Sequence, residues 1–260
     1  MHNHATLEAS EIPDVRMIAV ADVFGALRAG LRDFLRAPGF GLFFASVYVT
    51  GGIVLDLVLA AIGKQWWLIP FAVGFPILAP FAAVGLYEVS RRLELGLRLD
   101  WREVLGVVFR QKDRQIPSIS VVILLVFMFW MFVAHVIFLL FMGLSALNQV
   151  NDSFWFLLTP NGIAMMVVGG TVGAIFATML FSITVVGLPL LLDKEVDFVT
   201  AMITSVSVVL HNPVPMLVWA LLIAGLLFAG MLPLFLGLFI VLPVLGHASW
   251  HIYRATLKET

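Results

Sequence analysis

The chain has 260 residues, 62% of them hydrophobic and only 12% charged, with a mean hydropathy of +1.06. A water-soluble core of this length does not need so much apolar surface, so the composition places the chain in a bilayer. A formal net charge of -1 excludes a uniformly basic nucleic-acid binder, and the absence of cysteine excludes disulfides, thiolate metal sites and cysteine nucleophiles.

From the N-terminus, residues 1–19 read as a flexible tail. Glu8, Glu11 and Asp14 fall where a signal peptide carries positive charge, so no cleaved leader is expected. Asp22 then opens an amphipathic segment that closes at Pro38. Val20, Phe24, Leu27, Leu31 and Phe34 share one face, and Arg28, Arg32 and Arg36 run along its edge at i, i+4, i+8. This spacing predicts a helix lying in the headgroup layer, with its arginines reaching toward lipid phosphates. A first span of about Phe40 to Ile62 follows, then a second of about Trp66 to Leu86 in which Pro70, Pro76 and Pro80 predict a bend.

The same unit recurs twice. Asp100 leads to Pro117, with Trp101, Val104, Leu105 and Val108 on the apolar face and Arg110, Lys112 and Arg114 behind it. Spans of about Ile119 to Leu147 and Ile163 to Leu192 come next. Asp197 leads to Pro213 through a segment with no charge before His211, which predicts a helix covered by protein. The final apolar stretch, about Val214 to Tyr253, is too long for one helix, and Gly230 with Pro233 predicts a hairpin within it. In each unit the aspartate suits a helix N-cap, and the proline stops the helix where the chain turns into the membrane.

The fold class expected is therefore all-α: a polytopic membrane protein with six transmembrane helices in a pseudo-threefold repeat of interfacial helix plus hairpin. One membrane domain, residues 20–254, comprises repeat units at about 20–90, 99–193 and 196–254, with a short tail at 255–260. Six spans put fourteen of the fifteen lysines and arginines on one side and Lys64 alone on the other. By the positive-inside rule that side is the cytoplasm of a bacterial inner membrane, and both termini lie there.

Few residues invite chemistry. Asp56 is a carboxylate well inside the first span, and His135 lies past the middle of the third. At similar depth the two are expected to meet, to relay protons or bind a cation, or simply to join two helices. His247 and His251 share a helix face at i, i+4, a spacing open to metal or haem, although interfacial histidine beside Trp250 is also ordinary belt composition. Glu88, Arg91 and Arg92 follow the second span, and Asp193 and Asp197 follow the fourth, at one level. They are expected either to tie the repeats together or to face a partner. No phosphate-cradling loop, nucleophile elbow or metalloprotease motif is present.

Three strings, PFAAVGLYEVSRRLE from Pro80 to Glu94, LPLLLDKEVD from Leu188 to Asp197 and LPVLGHASWHIY from Leu242 to Tyr253, together give a further expectation. The chain resembles a family of bacterial six-span integral membrane proteins known as a domain of unknown function, over nearly its whole length. The resemblance implies location and architecture and carries no activity. Some members are labelled as related to cytochrome c oxidase subunit one, a label that three histidines in or at spans do not support.

The function expected is thus non-catalytic: an assembly, scaffold or lipid-interacting protein with a basic cytoplasmic face. Its expected partners are membrane lipids and either another membrane protein or a second copy of itself, with no nucleic acid and no cofactor. The alternative is a small transporter or channel lined by Asp56 and His135.

Overall fold

The computed structural model describes residues 14–62, 68–143, 158–233 and 235–257. Ten α-helices occupy most of these residues, and their lengths fall into a recurring order. A short helix precedes two long ones three times: α1 (Val20–Arg36), α2 (Pro38–Ile62) and α3 (Leu68–Glu94); α4 (Trp101–Arg110), α5 (Ile116–Met142) and α6 (Pro160–Thr184) with α7 (Gly187–Asp193); α8 (Phe198–His211), α9 (Pro213–Met231) and α10 (Leu238–Thr256). Among the described residues three stretches are long and apolar enough to cross a membrane: α5, α6 with α7, and α9. The 27 residues of α5 reach about 40 Å, more than the hydrocarbon thickness of a bilayer.

Local chemistry sets the helix ends. Pro38 and Pro213 are the first residues of α2 and α9, and Pro117 is the second of α5, positions where the missing amide proton costs no helical bond. Asp100 and Asp197 are N-caps, each carboxylate accepting from the amides of the second and third residues of its helix. Asp22 differs from the expectation. It sits three residues past the cap, and its carboxylate accepts from the Ala19 amide at 2.8 Å. The fourth span, read as one run, is interrupted at Val185 and Val186, where the Val186 amide donates to Ser205 Oγ of α8 at 3.1 Å. A neighbouring hydroxyl thus satisfies a donor that the break releases.

The turn after α9 falls where Gly230 and Pro233 predict it. Gly237 packs so closely on Gly230 that a Cβ there would lie 2.7 Å from the Gly230 Cα, so two bare backbones seal the hairpin. Residues at the end of the expected tail are tied down: Val15 pairs with Leu257, and Asn212 accepts from the Ile18 amide at 2.8 Å.

Helix α10 is the centre of the packing, in contact with α1, α2, α3, α7 and α9. It meets α1 most intimately, since a Cβ on Gly30 would come within 2.5 Å of the Ala248 amide nitrogen. The face of α1 that docks is Val23, Ala26, Ala29, Gly30, Asp33 and Phe34. Phe24 and Leu31, placed by periodicity on the apolar face of a helix in the headgroup layer, are exposed together with Leu35, whereas Phe34 of that same expected face docks. Small residues win the docking face because they permit backbone approach, and the bulky ones are turned outward. Helix α8 behaves similarly: Ala201, Thr204, Ser205 and Val208 are buried, whereas Ile203 and Leu210 are 64% and 72% exposed, so the chain covers only one side of it. The core itself joins Trp219, Trp250, Ile116, Ile119 and Leu190, contributed by α9, α10, α5 and α7.

Candidate functional site

The ends of α3, α7 and α10 meet the start of α4, and they carry a continuous set of charges. Glu88, only 1% exposed, accepts from Arg92 Nε at 2.7 Å and from Arg91 at 3.3 Å. Arg92 continues to the Glu103 carboxylate and the Arg98 carbonyl, fixing α4 to α3. Arg91 continues to Asp193 at 3.4 Å, which also accepts from the Tyr253 hydroxyl at 2.7 Å. Arg254 reaches Glu94 at 3.0 Å, and Glu94 takes the Trp250 indole proton at 2.8 Å. Desolvation alone lowers the Arg92 pKa, yet its two carboxylate partners outweigh that and hold it above its ordinary value.

The structure brings Glu88, Arg91, Arg92 and Asp193, which the sequence groups after the second and fourth apolar runs, into contact. Asp197 lies apart from them. It caps α8 instead, with its carboxyl held below the usual range chiefly by the Thr200 hydroxyl. Arg114 pairs with Glu195, whereas Arg110 and Lys112 are exposed, Lys112 only 4.0 Å from its exposed neighbour Asp113. Arg28, Arg32 and Arg36 are exposed and make no ion pair among the described residues.

A second polar cluster lies between α1, α3 and α10. His251 Nε2 is 2.7 Å from Asp33 Oδ2, and His247 Nδ1 is 2.8 Å from Ser90 Oγ. Burial raises the Asp33 pKa, but the hydrogen bond and charge of His251, with Ser90 and His247 beyond, more than offset it and leave the carboxyl below 3.8. The two histidines thus engage different partners, and among the described residues no three histidine or carboxylate side chains gather as a metal site does. His247 Nε2 is buried without a hydrogen-bond partner among the described residues.

Sequence reasoning passed over Asp33 and Ser90. The available signal was a carboxylate in the stripe of Ala26, Ala29 and Gly30 on α1, where a charge needs a partner across the interface. His135 is exposed on α5 and bonds at 2.7 Å to the Met131 carbonyl, one turn back on its own helix. The side chain of Asp56, its expected companion, lies outside the described residues.

Exposed apolar helices with charges gathered at helix ends define the class: an all-helical integral membrane protein. The stretch 68–193, just under half of the chain, matches the family described as "Predicted integral membrane protein (DUF2189)". The match runs from α3 to α7 and contains Glu88, Arg91, Arg92 and Asp193, whereas the string from Leu242 to Tyr253 lies beyond it. The family description shows no relation to cytochrome c oxidase. No curated protein and no solved structure matches the chain.

Proposed function

We propose that the protein is a non-catalytic component of the bacterial inner membrane, with six spans in a pseudo-threefold repeat and both termini in the cytoplasm. It acts as an assembly, scaffold or lipid-interacting partner through its basic inner face. One observation carries this reading: the division of labour among the charges. Carboxylates and arginines at the ends of α3, α4, α7 and α10 are spent on one another, holding helices together. The arginines of α1 are left outward beside Phe24, Leu31 and Leu35. At helical spacing those three apolar residues form a strip next to the arginine edge, opposite the face that docks on α10. Such a helix suits an interface, with bulky residues in the acyl boundary and guanidinium groups among lipid phosphates.

The absence of native cysteine makes the topology directly testable. Single cysteines at Arg36 and Lys64 should label from opposite sides with a membrane-impermeant maleimide in intact cells and inverted vesicles. Labelling of both from the same side would overturn the six-span reading. Purification from native membrane, with lipid and protein partners measured in the same sample, is expected to retain a stable partner or bound lipid. Consistent recovery of the chain alone and lipid-free would refute the working role.

A further inference from the structure

Beside the ion-pair network is a cavity of about 460 Å³ that the network does not fill. Its walls come from the end of α3, from α4 with the turn after it, and from the end of α7 with the loop that follows. Most of the charge on these walls is already engaged: Glu88 and Asp193 by Arg91, and Glu195 by Arg114. Two groups remain. Arg110 is exposed and has no carboxylate within ion-pair distance among the described residues. Gln111 is only 2% exposed, yet its Oε1 accepts no hydrogen bond among the described residues. A buried amide oxygen left unpaired is costly, and Gln111 lines the cavity, so a donor in the cavity favours a turn of the Gln111 side chain that brings Oε1 to it. The unspent guanidinium beside it calls for an anion, and arginine matches the geometry of phosphate.

We propose that this cavity binds a phosphate ester carrying a neighbouring ammonium or hydroxyl group, the chemistry of a phosphoethanolamine or phosphoglycerol headgroup. The phosphate is held by Arg110, with the part of the Arg114 guanidinium that Glu195 does not engage, and the N–H or O–H of the headgroup is donated to Gln111 Oε1 once that side chain turns toward the cavity. The surroundings favour a lipid over a free ester. Phe109, next to Arg110, is 67% exposed, and the apolar helix α5 starts at Ile116, two residues after Arg114. Acyl chains of a bound lipid then have an apolar surface beside the cavity. The level of the cavity in the membrane rests on the six-span reading above; recognition of the ester does not.

The test uses the full chain, purified in detergent, delipidated, and followed by native mass spectrometry and by thermal unfolding on titration with defined ligands. Phosphatidylethanolamine and phosphatidylglycerol are expected to bind about tenfold or more tightly than phosphatidylcholine, whose trimethylammonium offers no N–H to Gln111. Arg110→Gln, a change at an exposed position, should weaken both by about tenfold. Gln111→Met should erase the preference over phosphatidylcholine, and because that side chain is buried the wild-type preference stands as the independent measurement. Equal binding of phosphatidylcholine by the wild type, or unaltered binding by Arg110→Gln, overturns the proposal. Soluble glycerophosphoethanolamine separates the sources. Binding of the diacyl lipid alone supports the headgroup. Equal binding of the soluble ester supports the same recognition chemistry for a free ester, a result that leaves the cysteine-labelling test of topology unaffected.

Discussion

The last turns of α10 and the middle of α5 are both helical and apolar, yet they obey opposite rules. From Val244 to Tyr253, α10 buries Leu245, His247, Ala248, Trp250, Ile252 and Tyr253 against other helices, and its polar atoms mostly have named partners. Along α5, Leu125, Phe129, Phe132 and Leu140 are exposed by 60% or more. In water that surface would collapse or aggregate; in lipid it is already solvated, so nothing drives it to pack. Specificity is therefore concentrated at the charged ends of the helices, where water, headgroup and protein compete for each polar atom.

The sharpest way to break this contrast is at Glu88. Replacing it with glutamine leaves Arg91 and Arg92 without the buried charge they enclose. Both arginines are partly exposed and keep Asp193 and Glu103, so the loss is that of charge-assisted hydrogen bonds, about 1.5–3 kcal/mol, and unfolding in detergent should move to lower temperature. A variant as stable as wild type would show that the network is incidental.

Acid should loosen the same region more gently. The Asp33 carboxyl sits below 3.8 in the folded protein, so its contribution is present above the unfolded value and is lost as pH falls through the folded one. The α1–α10 contact should weaken below about pH 4, and Asp33→Asn should lower stability at neutral pH and remove that part of the acid dependence. Hydrogen exchange of α1 amides across pH reads this directly, and an identical pH profile in the variant would contradict it.

The smallest effect is expected on the other side of the comparison. Phe132, 64% exposed on α5, should tolerate replacement by leucine with a change of about 0.5 kcal/mol or less. A large loss there would mean that α5 is covered by something other than lipid.

Much of the helical order was legible because it is written locally. Proline at 38, 117 and 213, aspartate at 100 and 197, and hydropathic runs mark starts and ends without reference to the rest of the chain. That Glu88, Arg91, Arg92 and Asp193 each follow an apolar run of spanning length could also be read. Partner choice could not. At Gly173 of α6 the structure supplies a close neighbour that the local sequence does not name: a Cβ there would stand 3.0 Å from the Trp130 ring of α5. The break at Val185 and Val186 went unseen because the released Val186 amide is satisfied by Ser205, on a different helix.

The sequence by itself thus determined a bilayer protein, its helical segments and the gathering of charge at their ends, because hydropathy and caps act over a few residues. Only the tertiary structure decided which face of α1 docks, that Asp33 meets His251 across 218 positions, and that Gln111 is left unpaired at a cavity wall. Those outcomes depend on how closely two backbones approach and at what rotation. That is set by small residues such as Gly30 meeting the α10 backbone, a pairing of two distant segments that no local pattern encodes.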